Sequence, residues 1–323
     1  MVEPETRPRG GIDLGGTKIQ AIVADADHKV LGEARQPTPT TGGPQDVINA
    51  LADVMRQACV GAGLNADELG GVGLGSPGDI DARQGTIAQA GNLPNWTGAV
   101  PVAEMLGAAL GTSVAIGNDV SVATRAEFEL GAGKPYGSLL GVFWGTGVGG
   151  GLILDGKEWE GRAAAGEIGH MVVKRGGALC PCGRHGCMEA YAGRKAMEVE
   201  ARRRHDEGEH TDLFKIMKER GRDRLTSGVW ERALKHGDQL AEHLFERAYL
   251  ALGAGVASAI NLLDVEAVVL GGGLGVRFGD AAAARLAEAM RPHLFNDDRP
   301  PAVAVAALGD YGGALGAAML VGP

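Results

Sequence analysis

The sequence predicts an α/β protein that is made of two domains with related topology. The first observation is a repeat: in residues 11–36 and again in 138–162, an apolar stretch, a glycine turn, a second apolar stretch and a polar turn follow one another. In both copies an aspartate, Asp25 or Asp155, stands ten residues after the first glycine of the turn. The second observation is that helical patterns separate these hairpin units, which is typical of α/β architecture.

The individual elements follow from hydrophobic periodicity and from turn residues. Strands are predicted at 11–14, 18–24, 30–35, 71–74, 113–116, 138–144, 150–154 and 267–270. Helices are predicted at 45–62, 101–110, 120–130, 238–263 and 312–320, and a polar helical stretch covers 195–236. The polar stretch suits a lid or an oligomer contact. We expect a first domain over 1–118, completed by the C-terminal helix at about 305–323, and a second domain over 119–304.

Composition and charge disfavour several classes of protein. The chain has 323 residues, a net charge of −9 and a pI near 5.4, and it lacks the basic face of a duplex-binding protein. No apolar run reaches the ~20 residues of a membrane span, and the polar first nine residues lack the apolar core of a secretory signal. Four cysteines are too few for a disulfide scaffold in a chain of this length. We therefore expect a cytoplasmic protein without nucleic-acid or membrane partners.

Two glycine turns, each after an apolar strand, are candidate phosphate sites because glycine lets backbone N–H groups approach an anion. Their residues are Gly15, Gly16, Thr17 and Lys18 in the first copy and Gly145, Thr146 and Gly147 in the second. Neither turn is a Walker loop. Although 145–150 fits G-x-G-x-x-G, a strand rather than a helix follows, which disfavours a dinucleotide fold. The alternative is that both turns are tight hairpin turns without a ligand.

Two sets of carboxylates and amides stand at predicted strand ends. Asp13, just before the first turn, suits a magnesium ion that bridges phosphate oxygens, or it simply caps the turn. Asn118 and Asp119 lie between a strand and a helix, where Asp119 could orient an acceptor hydroxyl as a general base. Taken alone, the local sequence favours a helix cap for this pair.

Three cysteines and a histidine form the most specific local pattern. His170, Cys180, Cys182 and Cys187 supply three thiolates and an imidazole, which is a tetrahedral zinc set, and a site closed by four protein ligands is structural. A redox pair and inert thiols are the alternatives. Glu167 and Glu189 flank this pattern and suit hydrogen bonds from neighbouring sugar hydroxyls, unless they are ordinary surface glutamates.

Together these motifs resemble the ROK family, named for repressors, uncharacterised reading frames and sugar kinases. The resemblance runs from residue 11 to about residue 320, and the last two of its motifs are highly specific in combination. The motifs are the first phosphate motif at 13–18, the signature stretch at 145–151, E-x-G-H at 167–170 and C-x-C-G-x-x-G-C-x-E at 180–189.

The resemblance implies the actin-like ATPase (ribonuclease H-like) fold, in which two α/β domains close over ATP and sugar. It implies that Asp119 is the base that takes the proton of the sugar 6-hydroxyl, and that His170 contacts both zinc and sugar. The residues that it places around the sugar are Gly78, Asn92, Asn118, Asp119, Glu167, His170 and Glu189. It assigns the adenosine motif to Gly271, Gly272 and Gly273.

The leading expectation is a hexose kinase that uses ATP and magnesium, carries a structural zinc and converts glucose to glucose 6-phosphate. Kinases for N-acetylmannosamine, N-acetylglucosamine or fructose stay open, as do polyphosphate as the donor and a sugar sensor without turnover. The family's repressors carry a helix-turn-helix segment before the first phosphate motif, which begins here at Asp13, so the kinase branch is favoured. Because family members often form dimers, we expect a homodimer or a higher homo-oligomer.

Overall fold

The structure, a computed structural model, describes residues 7–91, 93–162 and 164–321. Its strands are β1 (Arg9–Leu14), β2 (Lys18–Ala24), β3 (Val30–Pro37), β4 (Val72–Ser76), β5 (Asp79–Asp81), β6 (Thr86–Ala88), β7 (Val114–Asn118), β8 (Leu139–Trp144), β9 (Val148–Leu154), β10 (Lys157–Glu158), β11 (Ala267–Gly271) and β12 (Ala302–Val305). Its helices are α1 (Pro44–Ala62), α2 (Val102–Leu110), α3 (Asp119–Glu129), α4 (Glu189–Ala192), α5 (Arg194–Asp206), α6 (Leu213–Glu219), α7 (Ser227–Lys235), α8 (Gln239–Leu263), α9 (Gly272–Met290) and α10 (Gly312–Ala318). Across the described ranges, each helix is too short or too polar to span a bilayer.

The first of two compact units comprises Met1–Gly131, Glu160–Ala163 and Ala307–Pro323. Its sheet has the strand order β3-β2-β1-β4-β7, in which β2 is antiparallel to its neighbours β1 and β3, and β4 and β7 run parallel to β1. The apolar stripe of α1, which includes Val47, Leu51, Val54 and Ala58, lies in the core of this unit. Helix α10 packs so closely on β1 and β4 that a Cβ on Gly11 or Gly73 would overlap its backbone.

The second unit comprises Ala132–Trp159 and Ala164–Ala306 and repeats the plan of the first. Its sheet has the order β10-β9-β8-β11-β12, with an antiparallel hairpin followed by two strands parallel to β8. Fully buried Trp144 and Trp230 lie in its core, with ring centroids 5.5 and 5.7 Å from that of Phe245. The predicted α/β class is confirmed, since both sheets carry helices and share one strand order.

The structure adds detail to the sequence prediction in several places. The polar helical stretch predicted over 195–236 consists of three helices, α5, α6 and α7, and strands β5, β6, β10 and β12 had no predicted counterparts. Helix α9 had no predicted counterpart, because the three glycines at 271–273 indicate a turn and a further glycine, Gly279, interrupts the helical periodicity. In the structure Gly279 has φ 54° and kinks α9.

Candidate active site

The carboxyl ends of β1, β4 and β7 meet at one edge of the first sheet. Asp13 is in register with Gly75, and Gly75 is in register with Gly117. Asp13 therefore lies at the same edge as Asn118 and Asp119, two strands and roughly 10 Å of backbone away. Open α/β sheets bind ligands outside the carboxyl ends of their strands, so this edge is the candidate site of the first unit.

The first glycine turn is held by hydrogen bonds at its base. Gly15 N–H donates to Lys18 O over 3.0 Å, and the Thr38 hydroxyl donates to Gly15 O over 2.6 Å. Gly16 and Thr17, at the tip of the turn, are exposed. The turn is thus a backbone loop that is held at its base and exposed at its tip, where an anion would have access.

Asp13 is a carboxyl held in a confined position beside this turn. A side chain at Gly313 of α10 would press on it, because a Cβ there would lie 2.7 Å from the Asp13 carboxyl carbon. Burial raises the pKa of Asp13 to about 6, a shift that Lys18 opposes and Asp310 reinforces. Lys18 Nζ lies 3.1 Å from the Asp310 carboxylate. A carboxylate in this position has the oxygen chemistry that magnesium prefers.

Asn118 and Asp119 lie next to each other at the start of α3, where the sequence allowed both a helix cap and a general base. Asn118 is the N-cap of α3, and its Oδ1 accepts the N–H groups of Val120 and Ser121, each over 3.0 Å. Asp119 is the first residue of the helix, and its Oδ1 also accepts the N–H of Val120 over 3.0 Å. Both side chains therefore bond to the first turn of α3, which agrees with the capping interpretation, and the role of Asp119 as a base stays a prediction.

Two residues of the first unit, Gly78 and Asn92, were predicted to lie around the sugar in addition to Asn118 and Asp119. Asn92 lies outside the described residues. Gly78 has φ 110°, and a Cβ at this position would be 2.7 Å from Ala88 O. The loop after position 92 is anchored by Trp96, whose indole N–H donates to Ile87 O over 3.0 Å. Gly78 is therefore required by backbone conformation and by space.

In the second unit, His170, Cys180, Cys182 and Cys187 place one ligand atom each within 4.8 Å of all the others. Cys180 Sγ lies 3.7 Å from His170 Nδ1, and Cys182 Sγ lies 3.8 Å from Cys187 Sγ. A tetrahedral zinc with Zn–S bonds of ~2.3 Å separates its sulfurs by about 3.8 Å, so the geometry fits a zinc ion. His185 is not part of the cluster, because its Nδ1–H donates to Gly177 O over 2.9 Å.

The two predicted glutamates reach different partners. Glu167 Oε2 lies 3.8 Å from His170 Nε2, the ring nitrogen opposite the cysteines. Glu189 begins α4 directly after the cysteine loop, and its Oε2 accepts the N–H of Val148 over 2.9 Å. Glu167 can orient the imidazole of a metal-bound histidine, whereas Glu189 joins the cysteine loop to the second glycine turn.

The second glycine turn lies against the glycine run that starts α9. Gly145 N–H donates to Gly147 O over 2.9 Å, which closes the turn, and a Cβ on Gly145 would lie 3.5 Å from Gly273 N. Gly271 is the N-cap of α9, and Gly272 has φ 78° with Trp144 O 2.6 Å from its Cβ position. The structure thus brings together the two glycine segments that the sequence assigned separately to phosphate and adenosine.

Sequence reasoning missed Arg194, the first residue of α5. Its backbone N–H donates to Gly145 O over 3.1 Å and its Nη2 donates to Thr146 Oγ1 over 2.9 Å. Its partner lies 48 positions away along the chain. Locally it resembles the other arginines of a polar helix, so no sequence signal marked it.

Comparison with known proteins places these features in context. A family model described as "ROK family" matches residues 9–322. The glucokinase of Streptomyces coelicolor is 32% identical over 314 residues, which is 96% of each chain. An N-acetylgalactosamine kinase of a Shewanella species is 32% identical over 319 residues, 96% of this chain and 95% of that one.

A solved structure shows the same fold over almost the whole chain. It is a ROK family glucokinase from Streptomyces griseus in complex with glucose and AMPPNP, 30% identical to this chain. The two superpose with a TM-score of 0.82 over 97% of this chain and 98% of that one. The predicted actin-like ATPase fold is thereby confirmed.

Proposed function

Because the chain belongs to the ROK family, we propose that it is a glucokinase that transfers the γ-phosphoryl group of ATP to the 6-hydroxyl of glucose. The chain is a sugar kinase, as its similarity to named kinases along nearly the whole length shows. One observation carries the choice of glucose: the Streptomyces griseus glucokinase, whose structure contains glucose and AMPPNP, superposes on this chain with a TM-score of 0.82. The glucokinase of Streptomyces coelicolor, 32% identical over 96% of both chains, supports the same sugar.

Asp119 acts as the general base in this proposal. Its carboxylate takes the proton of the sugar 6-hydroxyl while that oxygen forms a bond to the γ-phosphorus, and the bond from phosphorus to the bridging oxygen of ADP breaks. Orienting and deprotonating the acceptor in this way is worth typically ~10²–10⁴ in rate. The Asn118 cap fixes the first turn of α3 and with it the backbone of Asp119.

The glycine turns bind the phosphates of ATP. Backbone N–H groups at the tips of both turns neutralise part of the phosphate charge. Lys18, which forms an ion pair with Asp310, lies at the end of the first turn. Magnesium, when bound with ATP, neutralises further charge on the phosphate oxygens, and Asp13 is the side chain that would hold it. The glycine run Gly271–Gly273, which adjoins the second turn, binds the adenosine part of ATP in this proposal.

A structural zinc holds the sugar-facing histidine in place. The proposed ligands are His170 through Nδ1 together with Cys180, Cys182 and Cys187. Burial raises the pKa of the Cys180 thiol, so a bound cation is needed to keep it as a thiolate. His170 Nε2 and the Glu167 carboxylate face away from the cysteines and would contact sugar hydroxyls, as would Glu189, Asn118, Gly78 and Asn92.

The test is a coupled assay of ADP release with a panel of sugars and donors. The sugars are glucose, N-acetylglucosamine, N-acetylgalactosamine, N-acetylmannosamine and fructose, and ATP is compared with polyphosphate. We expect the highest kcat/KM with glucose and ATP. A higher kcat/KM for an N-acetylhexosamine would replace glucose by the alternative that the Shewanella relative supports. Absence of turnover with every sugar would refute the kinase proposal.

We also propose that the protein is cytoplasmic and forms a homodimer or a higher homo-oligomer. Light scattering should then give at least twice the chain mass of 33.2 kDa. Fractionation of the source cells should recover the protein with cytoplasmic markers. A mass equal to one chain would refute the proposed oligomer. Recovery in another compartment would refute the proposed location.

A further inference from the structure

The guanidinium of Arg194 bridges the second glycine turn and the segment that precedes α7. Nη2 donates to the Thr146 hydroxyl oxygen over 2.9 Å, and Nη1 donates to Leu225 O over 3.0 Å. The backbone N–H of the same residue donates to Gly145 O over 3.1 Å, and the next N–H, of Lys195, donates to Thr146 O over 3.0 Å. The start of α5 therefore binds the turn through both backbone and side chain.

The nearby carboxylate of Glu198 does not fully neutralise the positive charge of Arg194, because it has other partners. Glu198 lies one turn further along α5 and is only 3% exposed. Its oxygens accept hydrogen bonds from Arg202, Arg224 and the N–H of Leu225. Burial, followed by the charge of Arg224, lowers the pKa of Arg194, while Glu198 acts in the opposite direction. Glu198 is thus bonded to two other guanidinium groups, whereas the guanidinium of Arg194 donates to Leu225 O and Thr146 Oγ1.

The second carboxylate near the turn is engaged on its other side. Glu189 Oε2 accepts the N–H of Val148 over 2.9 Å, and a Cβ on Gly147 would overlap that oxygen. Glu189 therefore fixes the end of the turn at Val148, whereas Arg194 fixes its middle at Thr146. The two side chains hold the turn at different points.

The bond to Arg194 also sets the direction in which the Thr146 hydroxyl donates. A threonine hydroxyl has one proton and two acceptor lone pairs. When a guanidinium N–H occupies one lone pair, the hydroxyl proton points elsewhere, and a donor that is itself hydrogen-bonded to a cation is polarised and donates more strongly. An oxyanion in front of the turn is the acceptor that such a proton fits.

We propose that Arg194 is a positioning residue that orients the Thr146 hydroxyl as a hydrogen-bond donor to a phosphate oxygen of ATP. This inference rests on the proposed binding of ATP at the second glycine turn. Arg194 acts through Thr146 and through the fixed turn, not by contact with the sugar. Nucleotide affinity should therefore depend on Arg194, whereas hexose affinity should not.

The test is a double-mutant cycle with Arg194→Gln and Thr146→Val, measured as the Kd for AMPPNP by calorimetry. Arg194→Gln should raise this Kd about tenfold, the loss typical of a hydrogen bond to a charged group. In the Thr146→Val background the same change should raise the Kd less than twofold, because the acceptor is already gone. Thr146→Ser, which keeps the hydroxyl, should keep most of the affinity.

Arg203→Gln is the matched control, since Arg203 is an exposed arginine of the same helix that pairs with Glu200 and Glu207. It should leave the Kd for AMPPNP unchanged, and neither Arg194→Gln nor Arg203→Gln should change the Kd for glucose. The proposal is refuted if Arg194→Gln matches the control. It is equally refuted if the tenfold loss persists in the Thr146→Val background, or if the glucose Kd rises by the same factor. If the wild-type protein does not bind AMPPNP, the proposed function itself is refuted.

Discussion

Replacing Asp13 by asparagine should make the protein more stable at neutral pH while it removes turnover. Burial raises the pKa of Asp13 from an ordinary value of 3.8 to about 6 in the folded protein. The difference is about two pKa units, and one unit corresponds to ~1.36 kcal/mol. Keeping Asp13 ionised therefore costs about 3 kcal/mol of unfolding free energy, which a neutral asparagine avoids.

The sign of the pH dependence follows from the same two values. Above pH 6 the carboxyl is ionised in both the folded and the unfolded state, so the full cost is present. Between pH 6 and pH 3.8 the folded state binds the proton first, and the cost falls to about half at pH 5. The stability advantage of Asp13→Asn should therefore be largest above pH 6 and shrink as the pH falls.

Urea unfolding of both proteins without magnesium or nucleotide, at pH 8, 6 and 5, measures this advantage. Asp27→Asn is the control, because Asp27 is an exposed aspartate in a turn of the same unit and should change stability little at any pH. The reasoning is refuted if Asp13→Asn is less stable than the wild type at pH 8. It is also refuted if the advantage at pH 5 equals that at pH 8.

Two further changes test the cysteine cluster and the second turn. Cys182→Ser should reduce the zinc content from about one ion per chain to near zero by elemental analysis, and it should raise the Kd for glucose at least tenfold. The control Cys59→Ser, in the core of the first unit, should keep the zinc. If glucose affinity is unchanged without zinc, the metal site does not support the sugar site. Gly147→Ala should raise the KM for ATP about tenfold, since a methyl group displaces the Glu189 carboxylate from Val148 N–H, and a KM equal to that of the wild type would show that this contact does not shape the turn.

The fold was readable from the sequence because its signals are local. Strand β2 has the predicted bounds Lys18–Ala24, and the aspartates that open the polar turns of both hairpins marked the repeat that the two sheets share. Helix α9 was not readable, because glycines at its start and at position 279 weaken the helical pattern. Tertiary packing on the second sheet overrides that weakness.

The candidate site was predictable in residue type but not in arrangement. The spacing of Cys180, Cys182 and Cys187, together with His170, predicted a metal cluster, since a short glycine-rich loop limits where the thiols can lie. Which of Asn118 and Asp119 caps α3 depends on side-chain rotamers, and the sequence does not specify them. Arg194 was missed for a different reason, because its role depends on a contact with Thr146 that is distant along the chain.

The most direct test of the phosphoryl-transfer site is the turnover of Asp119→Asn compared with its glucose affinity. Loss of the base should lower kcat by about 10²–10⁴-fold, while the Kd for glucose stays within a factor of about three, since the asparagine side chain keeps the shape of the site. Glu129→Gln, at the exposed end of the same helix, is the control and should keep both values. A kcat of Asp119→Asn within tenfold of the wild-type value would contradict the assignment of Asp119 as the base.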